Sequence, residues 1–418
     1  MKTLVVFSHL RWNFVYQRPQ HLLSRLAQRW QVIFIEEPML RAGQNELERF
    51  APAPNVQVWR PHVTGDAPGF HDDHLPALQR MVADAMSEED VSDYWVWFYT
   101  PMALPLATEL APRGVVYDCM DELTAFRHAP RQLVQRENAL FKMADLVFTG
   151  GRSLYNAKQG RHPQVFCFPS SVDAKHFSSA AGEHPLLAGI ARPRLGYCGV
   201  IDERVDIDLI DQMAQARPQW QIVMVGPVVK IDPATLPRHP NIHWLGQQGY
   251  DDLPRLISGW DVCLLPFAMN EATRFISPTK TLEYMACGRP SVSTPIKDVV
   301  EPYGHLVSIA DTPSAFIAAC DQILQRAPQQ QLEHAKALAE VVAGTSWDAT
   351  TQAMAELIAA ADQSGVRSGK LAAPQAANAP SKESAPLHLA DAAHPAPSMA
   401  SVSGAGSQVD TAQRASAA

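Results

Sequence analysis

The stretch from Phe275 to Pro290, FISPTKTLEYMACGRP, constrains this chain more than any other. Ser277 suits a helix N-cap, and Pro278 suits the first helical position, where the missing donor costs nothing. Gly288, with Pro290 behind it, is a stop signal. The spacing predicts a helix over Pro278–Cys287, about two to three turns long. Leu282, Met285 and Ala286 fall on one face, and Lys280 and Glu283 share another. Helical side chains lean toward the N-terminus, so the Glu283 carboxylate points back at the open N–H groups. Those groups and an ammonium suit a diphosphate, and a carboxylate just behind them suits ribose hydroxyls. Ser277 and Thr279 add hydroxyls at the same end. A surface Lys–Glu pair on an ordinary helix has the same spacing. The apolar run Val262–Pro266 comes before, then the loop Phe267–Ile276, and Ser291–Thr294 reads as a second short strand. In a strand–loop–helix–strand unit of this kind, ligands sit at the carboxyl ends of the strands.

The segment resembles the nucleotide-sugar motif of GT-B glycosyltransferases, specifically the bacterial family-four, or group 1, enzymes. That motif runs S-P-x-K-x-x-E-Y-x-A-x-G-x-P. Here it is Ser277, Pro278, Lys280, Glu283, Tyr284, Ala286, Gly288 and Pro290. The resemblance implies that Glu283 holds the ribose of a nucleotide diphosphate sugar. Family members often carry a second acidic residue eight positions upstream. Phe275 stands there in this chain, and Glu271 is the nearest upstream carboxylate.

A length of 418 residues suggests two or three domains. The net charge of −8 argues against a general nucleic-acid binder. Six scattered cysteines, with no C-x-x-C pair and no Cys/His ligand spacing, read as buried apolar residues in a reducing compartment. The chain enters its first strand without a signal-peptide pattern, and no apolar run approaches a membrane span. A cytoplasmic protein is expected.

In chain order, Leu4–Ser8 is a buried-strand signal, followed by the loop His9–Gln17 and a helix from about Pro19 to Arg29. Val32–Glu36 completes a βαβ unit, which makes the sheet parallel. Further strands are expected at Val56–Trp59, Tyr94–Tyr99, Val115–Asp118, Leu146–Thr149 and Val165–Phe168, with helices at Asp72–Met86, Leu133–Met143 and from near Ser153. Ser171–Pro193 has no sustained period and reads as an interdomain linker. A second series follows, with strands Leu195–Gly199, Gln221–Val225, Ile242–Trp244, Val262–Pro266 and Leu306–Ile309. Its helices are expected at Ile207–Ala216, Thr312–Gln325, Gln330–Val342 and Trp347–Ala361, the last capped by Ser346. From Gln363 onward the chain is rich in Ala, Ser and Pro, too poor in apolar residues to offset its ordering entropy, and is expected to be disordered.

Four further clusters could carry chemistry. The loop after the first strand holds His9, Arg11, Trp12 and Arg18; arginine suits phosphate or carboxylate, and aromatic faces suit sugar rings. A hydrophobic loop packed on its own domain is the alternative. Tyr117–Leu123 holds Asp118, Asp121 and Glu122, candidates to take an acceptor proton or to cap a helix. Arg204 is the nearest cation in the loop after the first strand of the second series, a candidate phosphate ligand or a solvated arginine. Asp206 and Asp208 form a nominal D-x-D, but they open a helix, where acidic residues favour the dipole. Gly226–Asp232 lacks the order of a dinucleotide fingerprint. The basic stretch Arg127–Arg136 could meet anionic lipid or form a solvated helix face.

The expected fold is α/β, with two doubly wound Rossmann-like domains facing across a cleft as in GT-B. Residues 1–172 form an acceptor-side domain, 173–193 a linker, 194–345 the nucleotide-sugar domain, 346–362 a closing helix and 363–418 a disordered tail. The resemblance implies transfer of a sugar from a nucleotide diphosphate sugar to an acceptor hydroxyl, with retention and without an obligatory metal or other cofactor. The acceptor would be a glycan or lipid-linked sugar in polysaccharide or glycoconjugate synthesis. The candidate site then reads as follows: His9, Asp118 and Asp121 catalytic; Lys280, Glu283, Arg204, Ser277, Thr279 and Glu271 on the donor; Arg11, Trp12 and Arg18 on the acceptor. A GT-B sugar-nucleotide epimerase and a non-catalytic nucleotide-sugar-binding protein are the alternatives.

Overall fold

The computed structural model describes residues 2–127, 129–178 and 182–364. The first sheet contains β1 (Lys2–Ser8), β2 (Trp30–Glu36), β3 (Met39–Leu40), β4 (Glu46–Ala53), β5 (Val56–Val63), β6 (Tyr94–Phe98), β7 (Val115–Cys119), β8 (Leu146–Thr149) and β9 (Val165–Cys167). Its order is β3-β5-β2-β1-β6-β7-β8-β9, with β4 antiparallel to β5 at the edge. The central strands are parallel and covered on both sides, which explains their unbroken apolar runs. Val5 and Phe7 of β1 join Ile33 and Ile35 in one core. Leu4 and Val6 join Val32 and Phe34 in the core on the opposite face.

The second sheet contains β10 (Arg194–Cys198), β11 (Gln221–Val225), β12 (Ile242–Gly246), β13 (Val262–Leu265), β14 (Ser291–Ser293) and β15 (Ser308–Ile309). The order is β12-β11-β10-β13-β14-β15, parallel throughout. In each sheet the first strand lies between its sequence successor and a later strand, so the order reverses there. The loops past β1 and β10 therefore open into the crevices where α/β sheets bind ligands.

The helix Trp347–Ser364 returns to the first domain. Trp347, Met354 and Ile358 are buried with Leu22, Leu23 and Trp95. Asp362 near its end pairs with Lys2 and Arg113. Where the chain crosses between the domains, the Ser171 and Thr345 hydroxyls lie 2.8 Å apart.

Several sequence expectations need correction. The helix after β13 is Thr279–Ala286, one residue shorter at each end than expected; Pro278 is its N-cap, with φ −69° and an extended ψ of 118°, and no side chain caps it. Proline fixes φ but leaves ψ free, so either register is open to it. Ser277 instead uses its carbonyl to accept from Ser170 Oγ at 2.6 Å, a bond between the domains. The edge strands β3 and β4 gave no apolar alternation because most of their residues are at least partly exposed. The short helices Leu253–Ser258 and Lys297–Tyr303 were also missed. Within the linker, Ala174–Ser178 is helical and buries Phe177. Of the expected tail, Gln363 and Ser364 finish the last helix, and 365–418 lie outside the described residues.

Candidate active site

The helix Thr279–Ala286 aims its N-terminus into the cleft between the domains. A cavity of ≈ 160 Å³ there is lined by Tyr197–Val200, Arg204 and Ser277–Lys280 with Glu283 from the second domain, and by Val15–Arg18, Met120, Asp121, Gly150 and Ser170 from the first. The helix has no side-chain cap; the Thr281 N–H bonds back to the Pro278 carbonyl at 3.2 Å, which leaves the Thr279 and Lys280 N–H groups to an anion.

Lys280 extends along the loop after β10. Its ammonium lies 5.5 Å from the Tyr197 ring centroid and 5.9 Å from that of Phe267. Gly199 makes this possible. With φ +140° it takes a backbone conformation that side chains disfavour, and a Cβ there would sit 2.1 Å from Lys280 Cε. Gly226, past β11, packs as closely: its Cβ would lie 1.9 Å from the Gly199 carbonyl oxygen. Burial lowers the Lys280 pKa, opposed by the neighbouring Cys198 and Glu283. Glu283 is 8% exposed. Burial pushes its carboxyl up to about 7, held back by Lys280 and the Thr279 hydroxyl. A ligand that donates hydrogen bonds would favour the ionised form.

Arg204 lines the same cavity and is bound to Asp202, with Nε 3.0 Å from Oδ1 and Nη2 2.7 Å from Oδ2. Burial disfavours its charge, but Asp202 more than offsets this and raises the guanidinium's pKa. Its carbon lies 5.4 Å from the Phe126 ring of the first domain. Asp121 faces it across the cleft, its carboxyl raised by burial and drawn back by Arg204 and Arg18.

Other sequence candidates fall elsewhere. Asp118 is fully buried and bound on both oxygens by Arg18, at 3.1 and 2.9 Å. Arg18 also donates to the Phe168 carbonyl at 2.8 Å. Asp118 is therefore committed to holding Arg18 in the cavity wall and does not itself line the cavity. Arg11 donates to Glu36 and to the carbonyls of Glu37 and Pro38, which ties it to the end of β2. Trp12 packs edge-on against Phe34 at 5.1 Å and lines a second, adjoining cavity. Glu271 lies in the one-turn helix Glu271–Thr273, 74% exposed and facing Arg274, away from the cavity. Phe275, at the place of the second acidic residue, packs against the first-domain core. Asp206 caps its own helix by accepting from the Leu209 N–H at 2.9 Å. Among the described residues no group of three or more His, Cys, Asp and Glu could hold a metal. Arg136 of the basic stretch turns inward to Asp72 and the Met102 carbonyl. His128 lies outside the described residues.

His9 lines neither of the two cavities. Burial and then Lys230 pull its pKa down to about 4, so the ring is neutral at pH 7, and its buried Nδ1 has no partner among the described residues. Two charged groups not singled out in the sequence lie nearby, and neither lines a cavity. Glu37 follows directly on β2, and burial pushes its carboxyl up to about 7. Lys230 reaches over from the second domain with φ +62°, its ammonium 5.0 Å from the Phe126 ring. The position of Glu37 just past a central parallel strand was the signal available for it.

Residues 192–326 match the model of the family described as Glycosyl transferases group 1. That match lies within the second domain, and the fold is GT-B. Over 259 residues the chain is 26% identical to TuaH of Bacillus subtilis (strain 168), named for teichuronic acid biosynthesis as a glycosyltransferase. The match covers 54% of this chain and 63% of that relative's length. Sucrose-phosphate synthase from Thermosynechococcus elongatus superposes with a TM-score of 0.67 at 16% identity, covering 87% of this chain and 100% of that one. A trehalose-6-phosphate protein from E. coli bound with UDP-2-fluoro glucose gives 0.63 at 12% identity, covering 87% and 99%. HepE of Anabaena in complex with UDP gives 0.60 at 15% identity, covering 86% and 100%. At these identities the likeness to the solved structures is one of fold.

Proposed function

We propose that this protein transfers a sugar from a nucleoside diphosphate sugar to an acceptor hydroxyl in glycan synthesis. The observation that carries the reading is the convergence of Lys280, Glu283 and an uncapped helix N-terminus on a cleft whose other wall is the first domain. The diphosphate sits against the helix N–H groups, with Lys280 beside it and Arg204 at the rim. Glu283 accepts from the ribose hydroxyls. The acceptor approaches from the first domain, past Asp121. Its oxygen bonds to the anomeric carbon as the bond from that carbon to the diphosphate breaks. Lys280 and Arg204 take up the charge that develops on the leaving group, and Asp121 is placed to receive the acceptor's proton. The configuration is retained, and UDP-sugars are the first donors to test, since two of the structural relatives were solved with uridine nucleotides.

The packing of Phe275 against the first domain favours one second reading, a protein that binds a sugar nucleotide without turning it over. Calorimetric titration with UDP-, GDP- and ADP-sugars, followed by an assay for release of the nucleoside diphosphate with and without glycan acceptors, separates the two. Binding with acceptor-dependent release supports transfer. Binding without release in any combination supports the second reading. Turnover of the sugar nucleotide to an epimer with no acceptor present identifies an epimerase.

A further inference from the structure

A second cavity of ≈ 650 Å³ adjoins the first and shares Val15, Tyr16, Gly199 and Leu253 with it. None of its lining residues is charged. That suits an uncharged heteroaromatic group rather than a phosphate. At its wall stands a built aromatic platform. Tyr250 stacks on His176 with centroids 4.3 Å apart and planes 5° from parallel. Phe177 and His21 meet the same ring edge-on at 5.6 and 5.4 Å. The opposite face of Tyr250 is covered by Tyr16 of the first domain, at 4.4 Å and 25°.

The two ends of this stack differ. Tyr250 is fixed by its neighbours, and its buried hydroxyl has no hydrogen-bond partner among the described residues. Burial and then the Glu283 charge raise that hydroxyl's pKa, so it is a neutral donor within electrostatic reach of the residue assigned to the ribose. Tyr16 is 38% exposed. The backbone beneath Tyr16 is pinned, since Gln20 Nε2 donates to the Trp12 and Val15 carbonyls at 2.8 and 3.1 Å. Rotation of the Tyr16 side chain takes the ring out of the stack with the loop in place, at the cost of its edge-on contact with His21 at 4.7 Å and its hydroxyl's bond to Ser24.

We propose that Tyr16 is a gate for the donor's nucleobase: it occupies the face of Tyr250 on which the base stacks, and must swing away for the base to enter. The proposal rests on the donor-site reading above. It makes Tyr250 the stacking partner, with the Tyr250 hydroxyl available to a polar edge of the nucleoside. It also couples base recognition to the first domain, because the ring displaced belongs to the loop that follows β1.

The test is calorimetric titration of wild type, Tyr16→Ala and Tyr16→Phe with UDP, GDP and ADP, and with inorganic diphosphate as the base-free probe. A competing aromatic stack is removed in Tyr16→Ala, so its nucleotide affinity is expected to rise on the order of three- to tenfold. Diphosphate affinity is expected to stay unchanged, and Tyr16→Phe, which keeps the stacking ring and loses only the bond to Ser24, is expected to lie between wild type and Tyr16→Ala. Tyr16→Leu, which keeps apolar bulk but cannot stack, gives the same sign if the alanine variant folds poorly. Nucleotide affinity that is equal or weaker in the truncated variants overturns the gate and makes Tyr16 a wall or a tie between the domains. Nucleotide binding by Tyr16→Ala alone is the gate in its extreme form. Absence of nucleotide binding in every variant overturns the donor-site reading together with the gate.

Discussion

Glu283→Gln isolates the carboxylate from the shape of the site. The amide keeps the size of the side chain and one acceptor oxygen, but it loses the charge and the second acceptor. A hydrogen bond to a charged group contributes about 1.5–3 kcal/mol, so nucleoside diphosphate affinity is expected to fall roughly ten- to a hundredfold. The pH dependence gives a second handle. Burial holds the Glu283 carboxyl up to about 7. Ribose hydroxyls donate to the ionised form, so donor affinity in wild type is expected to rise with pH through about 7 and then level off. The stability of the ligand-free protein runs the other way. A carboxyl whose folded pKa lies above its unfolded value near 4.5 contributes stability below that value, and the contribution is lost as pH climbs toward 7. At about 1.4 kcal/mol per pH unit the loss is on the order of 3 kcal/mol. Both dependences should flatten in Glu283→Gln. Calorimetry across pH 5.5–8.5, a window bracketing that titration by roughly 1.5 units each way, and thermal melts of the same samples measure the two together. A folded Glu283→Gln protein with unchanged affinity and an unchanged pH profile would refute the assignment of Glu283 to the ribose.

Lys280→Ala is expected to weaken UDP-sugar binding at least about tenfold while leaving uridine binding nearly unchanged, because it removes only the charge that meets phosphate; paired titrations with the two ligands check it. Gly199→Ala puts a methyl group 2.1 Å from Lys280 Cε on a left-handed backbone. Loss of donor binding comparable to Lys280→Ala is expected in a protein whose melting temperature falls, readable by calorimetry and a thermal melt. Asp118→Asn leaves the Arg18 guanidinium buried beside a neutral partner. A loss of about 3–5 kcal/mol of stability is expected, measured by urea unfolding, with donor affinity in the folded protein little changed because Asp118 lies off the cavity.

Much of the architecture was legible because its cause is local. Strands buried on both faces, such as β1, β2 and β6, are unbroken apolar runs, and the helix Ile207–Ala216 shows both its acidic cap and its periodicity. Lys280 and Glu283 were legible for a similar reason, since both sit on one short helix whose spacing orients them. Other features were set by partners distant in sequence. Nothing near Asp118 shows that Arg18, a hundred residues earlier, takes both of its oxygens. Arg11 looked free until the end of β2 supplied its acceptors. Lys230 reaches the Phe126 ring only through the meeting of two domains, and Tyr16 and Tyr250 are stacked by the same meeting. The edge strand β4 left no pattern because it pairs with β5 alone and none of its residues is fully buried.

The central claim is that a nucleoside diphosphate lies at the N-terminus of Thr279–Ala286 with the loop after β10 against it. Backbone amide hydrogen exchange of the full chain, with and without saturating UDP, tests this most directly. Slowed exchange is expected at Thr279, Lys280 and the loop from Gly199 to Arg204, with the amides of the remote helix Pro313–Leu324 unchanged. Protection confined to other loops, with these amides exchanging as fast as in the free protein, would contradict the placement of the donor.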